Sequence, residues 1–385
     1  MTTPERNHAA ARKALRRLRE LNTSPLETTR TNPPDLRDVR IKSSIDIARE
    51  RFRKISERAV APGRQLADAQ KKVLEDAEAA LKRLAADGDT ADVTRDQEIG
   101  LEAIIVADGT RPALFVQDEE VDPTAEQTGT WQGQISALRP GIAMVAPSVG
   151  RIDSEIGSPN YAGTGFVVAD GLILTNRHVL EALVGGPEPQ PDGTWKFLKP
   201  VSIDFAGEFE RARKKSFKIT GVAFASPDRI RRQLTLSNLD VALLKVETHN
   251  GTERLPAPLA LSRRTGAVNV DAPVYAIGYP GRPYNEVAEV LMKVFQDEYF
   301  VKRFAPGYVD RSLDDVSDGG HRRVFTHDAS TLGGNSGSCL VEFSLEGRDV
   351  VGLHFGGIAR TENYSHSLAR LEHVFADNGV QIEYR

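Results

Sequence analysis

The sequence predicts a mainly β protein, a sandwich or barrel behind a helical N-terminal extension, and three observations predict it. From residue 161 onward, short apolar segments alternate with Gly, Pro, Asp and Asn turns. That spacing favours a sandwich or barrel over a parallel α/β sheet. Before it, residues 8–21 and the stretch from Ser44 to Leu84 place Ala and Leu at helical spacing instead.

The elements follow in order. Residues 8–21 set Ala and Leu on one helical face and Arg on the others. A Thr-, Asn- and Pro-rich linker covers residues 22–36. Ser44 is a candidate N-cap for a helix running to about Arg58. Pro62 suits the first turn of another, whose face is Leu66, Val73, Ala77, Leu81 and Leu84, with Ala-Asp-Gly-Asp at 86–89 as its stop. From about residue 98 the pattern becomes β-rich at Leu101–Val106, Ala113–Val116 and Ala143–Ile152. Further strands are expected at Gly165–Val168, Leu172–Thr175, Val241–Val246, Val274–Ile277, Cys339–Phe343 and Val350–His354. Helical pieces interrupt them at Asn285–Glu298 and near Ser367–Asn378. The expected organisation is a helical regulatory or docking extension (1–95), a β-rich connecting segment (96–140) and a β domain (141–385). No internal repeat and no low-complexity tract is present.

Composition narrows the function. An apolar content of 40% in 385 residues is ample for a packed core, and a net charge of −4 argues against nucleic acid as the partner of the whole chain. Residues 1–60 are the exception, with fifteen Lys/Arg against eight Asp/Glu, read as a solvated helical hairpin or partner-docking arm, with nucleic-acid contact by its Arg residues as the alternative. The single cysteine, Cys339, permits no intramolecular disulfide, and the N-terminus lacks the apolar core of an export signal, so the expected location is the cytoplasm. No apolar run of about 18 residues predicts a membrane span. His8, His249, His321, His327, His366 and His373 show no metal-ligand spacing, and no metal or cofactor is expected.

Three segments carry chemistry. In Thr331-Leu-Gly-Gly-Asn-Ser-Gly-Ser338, glycines flank Ser336, leaving its hydroxyl unobstructed and letting backbone N–H groups converge beside it. Gly163 to His178 reads as a hairpin turning at Ala169-Asp170-Gly171, with His178 just beyond its second strand. In Asn238-Leu-Asp-Val-Ala242, Asp240 precedes an apolar strand. Each alone is weak: glycine turns are common, a histidine after a strand is usually structural, and an aspartate before one usually caps it. Together they match a need. A serine hydroxyl attacks only when a base takes its proton, and a neutral imidazole serves when a carboxylate fixes its tautomer.

From roughly residue 140 to 380 the chain resembles the trypsin-like peptidases, most closely the bacterial glutamyl endopeptidases. The resemblance is carried by Leu174-Thr-Asn-Arg-His-Val179, Asn238-Leu-Asp-Val-Ala242, Gly278-Tyr-Pro-Gly281, Ser330-Thr-Leu-Gly-Gly-Asn-Ser-Gly-Ser338 and Gly352-Leu-His-Phe-Gly-Gly357. The order His, Asp, Ser is that of the chymotrypsin class. The resemblance implies a chymotrypsin-like double six-stranded β-barrel and a serine endopeptidase acting on protein or peptide substrates. It assigns Ser336 as nucleophile, His178 as general acid–base, Asp240 as its orienting partner, and the Gly334 and Ser336 amides as the oxyanion hole. The substrate pocket would be lined by Ser330, Thr331, His354 and Gly356. Ser330 stands where the enzymes that cleave after Arg or Lys carry an acidic residue, whereas Thr331 and His354 match the pair that binds Glu. Protonation of His354 would add charge to that recognition.

Two departures from the family are evident. A long N-terminal extension precedes the expected barrel, and the predicted helix Asn285–Glu298 is inserted after Gly281. Arg151-Ile152 looks like an activation cleavage site but is read as lying inside the first barrel strand. The extension is therefore expected to regulate or to dock a partner. The competing readings are a protease-fold binding protein without catalysis and a zymogen that needs an activator. A chaperone-type protease with a further peptide-binding domain is disfavoured, because only about 50 residues follow Ser336.

Overall fold

The computed structural model describes residues 64–87, 91–94, 111–155, 160–186, 188–230, 235–251, 253–282, 294–358 and 362–385. The chain divides into two compact units, one formed by residues 1–112, 126–133 and 285–297, the other by 113–125, 134–284 and 298–385. The helices read at 8–21 and 44–58, the strand at 101–106 and most of the helix at 285–298 lie outside the described residues.

In the first unit, helix α1 (Arg64–Asp87) buries Ala77, Leu81 and Leu84 of the expected face, together with Leu74 and Ala80. It ends at Asp87, at the Asp-Gly stop.

The second unit holds the strands. Strand β1 (Leu114–Gln117) turns through Asp118 and Glu119, both at positive φ, into the short β2 (Glu120–Val121). Helix α2 (Gln132–Val145) follows, then a 3-10 turn at Ala146–Ser148. This corrects the β reading of Ala143–Ile152, whose strand starts only at Val149. Ile135, Ile142 and Val145 form a buried helical face, and Pro147 sits in the turn that ends it.

The first barrel closes in the order β3 (Val149–Ser154), β4 (Tyr161–Ala169), β5 (Leu172–Thr175), β8 (Ala242–Val246), β7 (Ser216–Ala225) and β6 (Val201–Asp204), with β6 returning to β3. Its core gathers Ile152, Val167, Ile173, Ile203, Phe217 and Leu244. Helix α3 (Arg177–Leu183) interrupts between β5 and β6, and a small ribbon, β9 (His249–Asn250) with β10 (Glu253–Arg254), follows β8.

The second barrel runs β11 (Pro273–Gly278), β14 (Cys339–Glu342), β15 (Val350–Ile358), β16 (Glu362–Ser367), β13 (Val324–His327) and β12 (Arg303–Arg311), and closes because β12 also pairs with β11. Strands β1 and β2 extend it beyond β12. All pairings in both barrels are antiparallel, as alternating short strands with tight turns require. Val274, Ala276, Phe325, Leu340 and Val351 form its core. Cys339 is buried and its thiol is pushed up to about 12 by desolvation, in keeping with a packing role. The C-terminal helix is shorter than expected. Ser367 still pairs with Gly352 at the end of β16, so α4 spans only Glu372–Asp377.

Arg151 sits in mid-strand, paired with Thr164 of β4 on one side and Asp204 of β6 on the other. Its guanidinium holds Asp153 and donates to the Phe300 carbonyl at 2.6 Å. The bond after it is therefore built into the barrel wall.

Candidate active site

His178 does not merely follow a strand; it is the second residue of α3. Asn176 adopts an extended conformation just before the helix, and its side-chain amide donates to the Asp240 carbonyl at 2.9 Å. Val179, Leu180 and Leu183 bury the other face of the helix in the first core. Arg177 is buried too, paired with Glu181 at 3.1 Å and stacked over the Trp195 ring at 4.8 Å. These anchors leave His178 a third exposed while Asp240 is 5% exposed.

The two side chains meet closely. His178 Nδ1 lies 2.6 Å from Asp240 Oδ2, and the His178 amide donates to Oδ1 of the same carboxylate at 2.9 Å. Because a carboxylate only accepts, the imidazole proton is on Nδ1, leaving Nε2 as a base. Burial disfavours the imidazolium, but the charge and hydrogen bond of Asp240 outweigh it and hold the His178 pKa above its ordinary value. The Asp240 amide in turn donates to His366 Nε2 at 3.1 Å.

Ser336 lies on a turn made by residues 332–338. Gly334 and Gly337 have φ of +97° and +89°, and a Cβ would fall 1.9 Å from the Tyr161 hydroxyl at the first and 1.9 Å from the Thr164 carbonyl at the second. Only glycine fits either place. Peptide planarity then sets the two amides of interest. The Gly333 carbonyl, in one plane with the Gly334 N–H, accepts from Gly281 at 2.6 Å. The Asn335 carbonyl, in one plane with the Ser336 N–H, accepts from Ser338 at 2.8 Å. Among the described residues neither the Gly334 nor the Ser336 amide donates to another group.

The turn and the helix converge at Gly163. A Cβ there would meet the Val179 side chain at 2.8 Å and the Ser336 carbonyl at 3.1 Å. Among the described residues the Ser336 hydroxyl makes no hydrogen bond to His178, a separation common in unliganded sites that tightens when substrate excludes water. The arrangement can accept a proton at His178 Nε2, and the Ser336 turn, which meets α3 at Gly163, offers a hydroxyl and two uncommitted amides.

The residues predicted for the substrate pocket each contact other groups of the second barrel or lie partly buried in it. Ser330, Thr331 and Gly356 are half-buried, and His354 is buried. The Thr331 hydroxyl donates to Asn363 Oδ1 at 2.6 Å, and the Asn363 amide is fixed by the Ala329 carbonyl at 2.9 Å. His354 Nδ1 lies 3.3 Å from His327 Nε2. Burial, then the neighbouring His327 and His178, push His354 well below the ordinary imidazole value. That shift keeps the ring neutral at pH 7, which leaves hydrogen bonding rather than added charge as what His354 can offer.

Sequence reasoning missed Thr164, Asn176, Asn363 and His366. Thr164 and Asn176 sit within quoted motifs, Gly-Thr-Gly and Thr-Asn-Arg-His, whose polar members were the available signal. Nothing local marks Asn363 or His366, because register in β16 alone brings them to the site.

Residues 163–353 match the trypsin-like peptidase domain family. A probable serine protease of Lysobacter enzymogenes is 33% identical over 311 residues, covering 74% of this chain and 77% of that protein. A glutamyl endopeptidase of Staphylococcus epidermidis is 23% identical over 223 residues, covering 57% of this chain and 62% of that protein. Among solved structures, the active form of an M. tuberculosis protease aligns with a TM-score of 0.38 at 21% identity, covering 63% of this chain and 86% of that one. With the two closed barrels and the identity to the Lysobacter protein spanning most of both chains, the chain belongs to the trypsin-like serine peptidases.

Proposed function

We propose that the protein is a serine endopeptidase in which Ser336 attacks the scissile carbonyl, His178 shuttles the proton and Asp240 orients His178. The observation that carries this is the double grip of the Asp240 carboxylate on His178, at Nδ1 and at the backbone amide. In this mechanism His178 Nε2 takes the Ser336 proton as the Oγ–carbonyl bond forms. The Gly334 and Ser336 amides receive the oxyanion, and the imidazolium returns its proton to the leaving amine. Water then repeats the cycle and frees the acid product.

We further propose a preference for Glu before the scissile bond. When His327 Nε2–H donates to His354 Nδ1, the His354 Nε2–H is left to donate to a substrate carboxylate. The Thr331 hydroxyl adds a second donor on turning from Asn363. The absence of an acidic residue at position 330 fits the same preference. A neutral pocket of this kind favours Glu over Lys or Arg strongly and over Gln only modestly.

Mass-spectrometric mapping of cleavage in a diverse peptide library, with Ser336→Ala as control, tests both readings. Cuts after Glu that vanish in the control support them. Cuts that persist in Ser336→Ala would refute the nucleophile, and cuts spread over basic residues would refute the pocket. Asp240→Asn should retain binding but lose about four orders of magnitude in kcat, because it stabilises the wrong imidazole tautomer. The helical extension, residues 1–95, is proposed to regulate or dock. Removing it should change peptidase rate or partner binding, and unchanged values of both would exclude that role.

A further inference from the structure

We infer that His366 is a positioning residue for the reaction: through Nε2 it holds the Asp240 backbone amide and so sets the Asp240 carboxylate against His178. The inference rests on reading Asp240 as the orienting partner of His178.

The geometry is specific. Every polar group of Asp240 is engaged. Its carboxylate takes the amide and Nδ1 of His178, its carbonyl takes the Asn176 amide at 2.9 Å, and its N–H points into His366 Nε2 at 3.1 Å. Three of these contacts come from the first barrel. The fourth comes from β16 of the second barrel, the barrel that also presents Ser336. His366 therefore registers the acid–base pair of one barrel against the nucleophile of the other.

The ring has no freedom to do otherwise. It is fully buried and lies face to face with Phe355 of β15, centroids 4.3 Å apart and planes 17° apart. Because Nε2 accepts from an amide, the ring proton must be on Nδ1. That Nδ1 has no hydrogen-bond partner among the described residues. A buried N–H left idle is costly. An apolar side chain would avoid the cost, so the accepting end is what the histidine supplies here.

The charged groups facing it are few. They are Asp240 ahead of β8, Arg323 at the start of β13 and Asp318 in the preceding loop. Asp318 is occupied by the amides of Arg322, Arg323 and Val324, and Arg323 by the Ser237 carbonyl. Desolvation dominates these, and the His366 pKa is pushed down to about 4, so the accepting form persists through the neutral range. A proton added to Nε2 would face the Asp240 N–H head-on and break the contact.

The test uses the full chain and four forms of it: wild type, His366→Gln, His366→Phe and Asp240→Asn, with His366→Leu in reserve should the Phe variant not fold. NMR titration of His178 is read beside the rate of Ser336 labelling by a fluorophosphonate. Glutamine keeps an acceptor, while phenylalanine keeps the stack on Phe355 and removes it. His366→Phe should lower the His178 pKa toward the ordinary imidazole value and slow labelling about 10- to 100-fold, while His366→Gln stays within about threefold of wild type. A wild-type His178 titration in His366→Phe would overturn the inference. Equal losses in both variants, with equal falls in melting temperature, would also overturn it by marking a purely structural role. If Asp240→Asn left the His178 titration unchanged, the reading of the pair itself would fail, and the inference with it.

Discussion

The Thr164 amide donates to the Ser336 carbonyl at 2.8 Å, so a strand of the first barrel holds the proposed nucleophile, which the second barrel carries. Thr164 does more. Its hydroxyl donates to the Gly334 carbonyl at 2.9 Å and accepts from the Tyr279 amide at 3.1 Å, and its carbonyl accepts from the Thr175 hydroxyl at 2.7 Å. Thr164 thus holds both residues whose amides are proposed to receive the oxyanion, Ser336 through the Thr164 backbone amide and Gly334 through the Thr164 hydroxyl.

Replacing Thr164 by Val keeps the shape and removes the hydroxyl. A lost buried hydrogen bond costs about 1–3 kcal/mol. Thr164→Val is expected to unfold at lower denaturant by that amount and to lower kcat about tenfold with little change in KM, since a misplaced oxyanion donor is felt in the transition state. Thr164→Ser should recover most of both. Urea titration and steady-state kinetics on one peptide substrate decide it; a Val variant with wild-type kcat would remove Thr164 from the catalytic geometry.

Activity should depend on pH through His178. Its pKa is held above the ordinary value of about 6.5, and only the neutral ring can take the Ser336 proton. The acid limb of kcat/KM is therefore expected above pH 6.5, and Asp240→Asn should move it to lower pH as well as depress the plateau. A limb at or below the ordinary imidazole value in the wild type would contradict the pairing.

Folding stability should also fall toward acid pH, through the buried rings of His354 and His366. Both have lowered pKa values in the folded state, chiefly by desolvation. Below about pH 6.5 the unfolded chain takes up protons that the folded chain refuses, so stability falls as pH drops toward 4, by at most about 1.4 kcal/mol per pH unit for each ring. The raised His178 does not offset this, because its contribution is already complete below pH 6.5. Urea midpoints at pH 6.5 and pH 5 measure the slope, which His366→Gln should reduce.

The bond after Arg151 should resist cleavage in the folded protein. Arg151 is paired on both edges of β3, and opening it for a protease would require unzipping the first barrel. Limited trypsin digestion followed by N-terminal sequencing should yield no chain beginning at Ile152. Such a chain, together with a gain in activity, would show that the protein activates like a zymogen cut at this position.

The sequence by itself determined a great deal about this protein. Alternating short strands with turn residues specified a β protein, because period-two patterning can bury only one face of a strand. His178, Asp240 and Ser336 were legible as a candidate site because their flanking residues are local requirements: a strand end, a strand start, and a turn whose positive φ values admit only glycine at 334 and 337. The helix Gln132–Val145 was misread because its run of Ala, Met and Val before Pro147 suits a strand as well as a helix, and only packing distinguishes them. What the tertiary structure decided is which distant groups meet. Thr164, Asn363 and His366 reach the site through strand register across two barrels, and register is a property of paired chains. The neutral state of His354 was settled at that level as well, because a pKa depends on the solvent and charge excluded around a ring.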